Sequence, residues 1–199
     1  MSGKHFTEKL KNMGDMVHEL MKEKGYYDVV VQKIFSSESI ILENIENNGL
    51  QDTEEKRILD QNLKIDLSLN CKNKKGLKKK IYIQEHSRSR QAWKYDDITI
   101  TGKNPNCGAE FEKTAAQYMI YIVTDAITKN GEIIKPPTQI IKLVIINLVL
   151  VDNAIFSGRI DYETIGNFKD QYMFAVPISE IKKIDNALLF HQKAERKVG

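Results

Sequence analysis

The sequence predicts an α/β protein, a mixed central sheet flanked by helices, and three stretches carry that expectation. Leu10, Met13, Val17, Leu20 and Met21 recur at spacings of three and four, the period of a helix with one buried face. Residues 64–69 alternate strictly, with Ile65, Leu67 and Leu69 on one side and Lys64, Asp66 and Ser68 on the other; this is the period of a half-buried strand. Residues 140–151 are nearly continuously apolar and rich in β-branched side chains, as in a strand covered on both faces. A chain of 199 residues is long enough for one well-buried domain.

Taken in order, residues 5–24 read as the first helix, stopped by Gly25. A second, short helix fits 27–36, with Val30, Val31, Ile34 and Phe35 as its apolar face. Residues 40–45 suit helix or strand equally, and 51–62 is polar and reads as loop. The strand at 64–69 is followed by Asn73-Lys74-Lys75-Gly76, a good turn, and by a second strand over 80–87. Together they predict a hairpin. Residues 93–106 read as an irregular insertion, 110–125 as a helix with Phe111, Ala115, Tyr118, Met119 and Ile122 on one side. A strand over 171–178 ends near Pro177, expected at a sheet edge, and 178–196 reads as a closing amphipathic helix.

Charge and cysteine usage narrow the setting. Basic and acidic residues nearly balance, 30 against 27, so a basic surface must come from clustering. Lys72, Lys74, Lys75, Lys78, Lys79 and Lys80 provide one such cluster, with Arg88, Arg90 and Lys94 close behind. Cys71 and Cys107 show neither metal-ligand spacing nor a disulfide framework, which fits a reducing cytoplasm. The start of the chain lacks the apolar core of a secretory signal. The longest apolar run is interrupted by Lys142 and Asn147 and is too short to span a bilayer. No membrane association and no nucleotide cofactor are expected. His5, His18 and His191 stand alone on their segments and are assigned no chemistry.

The hairpin is where chemistry is expected. By parity Asp66 faces Tyr82, Gln84 and His86 on the next strand. A carboxylate opposite polar groups at i and i+2 is a geometry in which a divalent cation can sit.

Several segments, in the right order, resemble the recombination-promoting nuclease family, the PD-(D/E)XK transposase-type nucleases. Asp28-Val-Val-Val-Gln-Lys33-Ile-Phe35 is similar to the family's D-x-x-F-K-x-(I/L)-F helix, with Val31 in place of the Phe. Ile65-Asp66-Leu67, the Lys/Gly turn and Ile81-Tyr82-Ile83-Gln84-Glu85-His86 resemble the active-site hairpin, L-D-(I/V) followed by I-x-I-E-M-Q. Tyr118 to Asp125, Asn130-Gly131-Glu132, Pro136-Pro137 and the strand from Ile140 to Asn147 are similar to its later helix, loop and strand. Phe174-Ala-Val-Pro177-Ile178 resembles its last strand. The likeness covers about 28–181, within one nuclease-like domain expected over 1–199, shorter at its C-terminus than the family.

The resemblance implies a PD-(D/E)XK core and a Mg²⁺-dependent DNA endonuclease, with Mn²⁺ as an alternative ion, in mobile-element, recombination or phage-defence biology. Asp66 would be the principal ligand, and Asp28, a helix N-cap by its position, would lie near the site. Without a gap, the family's E-M-Q falls on Gln84, Glu85 and His86, so the expected carboxylate becomes an amide. Two registers follow. Either a bulge brings Glu85 beside Asp66, or the site is Asp66, Gln84 and His86, with His86 orienting or deprotonating the water. Lys78, Lys79, Lys80, Arg88 and Arg90 would contact DNA phosphates, with the arginines near the scissile one, and Tyr82 and Trp93 are candidates for base stacking. A homodimer fits an enzyme that cuts two strands. The rival readings are a catalytically impaired nuclease fold that still binds nucleic acid, and a protein-interaction or inhibitor domain.

Overall fold

A computed structural model describes residues 3–36, 39–50, 52–63, 65–103, 115–130, 132–168 and 171–194. Two helices open the chain, α1 (Gly3–Glu23) and α2 (Tyr26–Ile34), joined at Gly25, whose φ of 67° is a left-handed conformation that glycine adopts freely. Strand β1 (Ile40–Asn47) follows, then a short helix α3 (Glu54–Arg57) that runs into a π-helical turn over Ile58–Asn62. Strands β2 (Leu67–Asn73) and β3 (Lys78–Arg88) form the expected hairpin, with Gly76 at φ 81° in its turn. Beyond them come β4 (Asp97–Lys103), β5 (Tyr118–Thr124), β6 (Ile127–Lys129), β7 (Glu132–Lys135), β8 (Ile140–Asn147) and α4 (Leu148–Phe156). The last elements are β9 (Glu163–Phe168), β10 (Gln171–Pro177), α5 (Ile178–Ile181) and β11 (Leu188–Lys193).

The central sheet is mixed, in the order β1-β2-β3-β5-β8-β11. All its pairings are antiparallel except β3 with β5. One face packs on the opening helices: Val17, Met21, Tyr27, Val30 and Val31 meet Leu67, Leu69, Ile81, Ile83, Ile120 and Ile145. The other face packs on a three-stranded sheet, β4-β10-β9, and on α4 and α5, through Ile98, Val176, Val151 and Ile178 against Met119, Tyr121, Val144 and Ile146. No helix among the described residues is long and apolar enough to cross a membrane.

Several elements differ from their expected form. The segment read as a helix over 110–125 is the strand β5 from Tyr118 onward, while 110–114 lies outside the described residues. It is buried on both faces, so its apolar residues carry no alternation, and helical spacing arises by coincidence. The closing helix is limited to α5; Asn186 at φ 60° breaks the backbone, and β11 completes the sheet. The apolar run from 140 divides at Asn147, whose side chain accepts from Leu150 N–H at 3.3 Å and caps α4. Residues 54–62 are helical rather than loop, and 97–103 forms β4 rather than irregular chain. Strand β10 is the middle of its sheet, not an edge, and Pro177 is tolerated as its last residue.

Candidate functional site

The hairpin departs from strict alternation at its entry. Leu67 is the pairing partner of Ile83, yet the N–H of Asp66 also donates to the Ile83 carbonyl, at 3.1 Å. Two residues on this side therefore oppose one on β3, the signature of a bulge. Its effect on facing is direct: Leu67, Leu69 and Cys71 pack under the helices, whereas Ile65 joins the opposite core. The expectation that Ile65 shares a face with Leu67 and Leu69 fails for this reason. Asn48, fully buried, braces the irregular segment by donating to the Ile65 carbonyl and Ser68 Oγ, both at 3.1 Å.

Asp66 emerges beside Glu85. Its Oδ2 accepts the backbone N–H of Glu85 at 2.7 Å, and both carboxylates line a cleft of about 300 Å³. The walls come from Gly14, Asp15 and His18 of α1, Asn47 at the end of β1, Gly49 in the 3-10 turn after it, and Asp60 of the π-helical turn. Glu85 pairs across to Ile120 and so faces the helices. There Tyr27 Oη donates to Glu85 Oε2 at 2.5 Å and lies 2.6 Å from His18 Nδ1. Burial and, secondarily, the nearby Asp66 charge push the Glu85 carboxyl up to about 8, against the opposing effect of the Tyr27 hydrogen bond. Burial and the same Glu85 raise the Tyr27 phenol, and burial lowers His18.

The other expected site residues lie elsewhere. Gln84 and His86 pair with Met119 and Tyr121, which face the second sheet, so they occupy the opposite side of β3 from Glu85. The His86 ring stands edge-on to Tyr121 at 5.8 Å, and burial with the Arg88 charge lowers it to about 3. Gln84 Oε1 is buried without a hydrogen-bond partner. Neither reaches the Asp66 cleft, so the register built on Asp66, Gln84 and His86 does not form. Arg88 also turns away: its Nη2 donates to Thr99 Oγ1 at 2.8 Å, on β4. It therefore does not flank Asp66, and Arg90 is exposed at the start of a 3-10 turn. Asp28 sits exposed in the first turn of α2, three residues beyond an N-cap position that Gly25 occupies, and it does not line the cleft.

The chain shows no match to any protein-family model, curated protein or solved structure. Its chemistry must therefore be read from the residues. Among the described residues, no group of three or more His, Cys, Asp and Glu side chains stands close enough to hold a metal ion. A pair of carboxylates is nevertheless a sufficient protein contribution for Mg²⁺, which keeps waters and takes substrate phosphate oxygens for its remaining positions. Asp66 and Glu85 fit that requirement as oxygen donors lining one cleft, and a bound cation would favour the ionised form of Glu85.

The lysine cluster occupies the far end of the hairpin. Lys78 and Lys79 are exposed, Lys79 Nζ lying 4.5 Å from the Phe35 ring centroid, and together with Lys74, Lys75 and Leu77 they line an open groove. Lys80 is neutralised by Glu46 at 2.9 Å and Glu55 at 3.8 Å. From Glu85 to Lys78 is roughly 24 Å of extended strand, at ~3.4 Å per residue. The basic tip is thus remote from the carboxylates. His18 and Tyr27 were not legible as site residues, because each reads as an ordinary member of an amphipathic helix.

Proposed function

We propose that this protein is a divalent-cation-dependent phosphodiesterase acting on DNA, with a core of the PD-(D/E)XK class and Asp66 and Glu85 as its ligands. The observation that carries the reading is the convergence of these two carboxylates in one cleft between α1 and the entry of the β2–β3 hairpin. The likeness of the hairpin to the nuclease family supports the class, and the mobile-element or phage-defence setting rests on that likeness alone. Mg²⁺ or Mn²⁺ held there would polarise a phosphodiester oxygen and offset its charge. The chain's own residues do the remaining work. The Glu85 N–H fixes the Asp66 carboxylate, Tyr27 fixes the Glu85 carboxylate, and Lys74, Lys75, Lys78 and Lys79 offer cations to the nucleic-acid backbone away from the cleft.

Cleavage of plasmid DNA with Mg²⁺ and with Mn²⁺ tests the reading. Asp66→Ala and Glu85→Ala are expected to abolish cutting, while Gln84→Ala leaves it within a few-fold of wild type. An Asp66→Ala variant that cuts at the wild-type rate would sink the assignment. The exposed lysine tip favours one other reading, a DNA-binding module without catalysis. Salt-sensitive binding with no cleavage in either cation would select it.

A further inference from the structure

A buried polar assembly of three side chains lies behind the cleft. Tyr27 is 1% exposed, enclosed with Val17, Met21, Val30 and Val31 between the opening helices and the sheet. A phenol at this depth needs a partner, since an unpaired buried hydroxyl costs about 1–3 kcal/mol. A backbone carbonyl would have been the ordinary choice. Instead the hydroxyl is spent on Glu85 Oε2 at 2.5 Å. With Glu85 ionised, the form that holds a cation, Tyr27 gives its one proton to Glu85, and the contact at 2.6 Å with His18 Nδ1 then requires that nitrogen to donate. In that state the imidazole is the Nδ1–H tautomer, and the chain runs His18 Nδ1–H to Tyr27 Oη–H to Glu85 Oε2.

This chain joins α1, α2 and β3, and it holds Glu85 from two ends. Asp66 takes the Glu85 backbone N–H, Tyr27 takes one carboxylate oxygen, and Oε1 is left for the cleft that Glu85 lines. Without that contact the Glu85 side chain would be free to take other rotamers and leave the cleft. A short bond from a phenol locked by packing prevents this.

We propose that Tyr27 and His18 are positioning residues, a buried relay that aims the Glu85 carboxylate into the cleft and thereby sets the affinity of the site for a divalent cation. The proposal rests on the cation reading above. It assigns the opening helices a task beyond covering the sheet: α1 and α2 carry the outer shell of the site.

The test measures Mn²⁺ binding by paramagnetic resonance of the free ion, with the full chain and no nucleic acid. Wild type is expected to bind and Asp66→Ala to lose binding. Tyr27→Phe keeps the ring and removes the hydroxyl, and is expected to weaken binding by about 10–100-fold, as for other outer-shell partners of metal ligands. His18→Leu is expected to weaken it in the same direction. His18→Asn, whose Nδ2 can donate from nearly the place of Nδ1, should recover most of the loss. Thermal melts accompany each variant; if Tyr27→Phe does not fold, the two His18 variants decide the matter with the phenol intact. Wild-type affinity in Tyr27→Phe, or in His18→Leu, overturns the relay while sparing the cation site. Wild-type protein that fails to bind Mn²⁺ overturns the cation reading and the relay with it. Nitrogen NMR of His18 in Mg²⁺-loaded protein, where Glu85 is ionised, gives a further check, and a proton on Nε2 rather than Nδ1 there contradicts the relay.

Discussion

Asp125 and Glu85 are both carboxylates set against the central sheet, and the chain treats them in opposite ways. Asp125 is 3% exposed and accepts from Lys135 Nζ, Thr138 N–H and Thr138 Oγ1 at 2.7 Å and from Gln139 N–H at 2.9 Å. Burial alone would raise its carboxyl, but the Lys135, Thr138 and Gln139 hydrogen bonds outweigh it and hold the group well below its ordinary range. Glu85 receives one side-chain hydrogen bond, faces the Asp66 charge, and is pushed up to about 8 chiefly by burial. A carboxylate with a full complement of donors is committed to holding the β5–β8 connection together. One with an oxygen left over, beside the Asp66 carboxylate in a cleft, remains available to a ligand. Groups tuned for binding in this way often stabilise the fold less than their substitutes would.

The contrast is sharpest in stability measurements. Asp125→Ala is expected to lower unfolding free energy by about 3 kcal/mol, since its charge-assisted hydrogen bonds vanish together; urea titration reads this. The sign of its pH dependence follows from the depressed carboxyl. Its contribution is present above the ordinary value of 3.8 and is lost as pH falls through the folded-state value. Acid titration of Asp125→Asn should therefore show a shallower loss of stability below about pH 4 than wild type. A wild-type acid limb in that variant would contradict the structural role.

A smaller effect is expected at Lys142, a third buried charge, 1% exposed, whose Nζ donates to the carbonyls of Asp97 at 2.6 Å and Tyr95 at 3.2 Å. It fastens the start of β4 to the central sheet. Lys142→Met leaves both carbonyls without that donor and should cost about 2 kcal/mol. Hydrogen exchange should quicken in β4 before β5, and uniform quickening would argue against a local fastening. The smallest effect is expected at Glu85→Gln, within about 1 kcal/mol of wild type or slightly stabilising. A loss as large as that of Asp125→Ala would erase the distinction between the two carboxylates.

The sequence makes some of this arrangement legible and conceals the rest. The β2–β3 hairpin is readable because alternation and a lysine-glycine turn agree on it. The bulge at Asp66 and Leu67 is only one of two open registers in the sequence, since parity counting assumes an unbroken strand and the family likeness admits either. That one irregularity decides that Glu85, and not Gln84, stands beside Asp66. Strands β5 and β11 are misread as helices for a different reason. With apolar residues on both faces, β5 offers no period to count, and β11 becomes a strand through tertiary pairing with β8. His18 and Tyr27 sit nine residues apart in a helical pair and 58 or more from Glu85, so only folding brings them together.

The strand order of the central sheet also bears on how the chain is synthesised. From one edge to the other the order is β1, β2, β3, β5, β8, β11, which is the order in which the strands leave a ribosome. Each new strand can add to the free edge of those already paired, with none inserted between earlier neighbours. The hairpin that bears Asp66 and Glu85 can thus form early, from local contacts. The growing edge beside β3, and later beside β5 and β8, stays open until the next strand arrives, and an open edge invites pairing with other chains. Pauses in translation after β5 or β8 would prolong that exposure, whereas the last strand, β11, finishes the sheet with the partly buried Leu188, Leu189 and Phe190 packed against the core and His191 and Lys193 near the exposed Asp96.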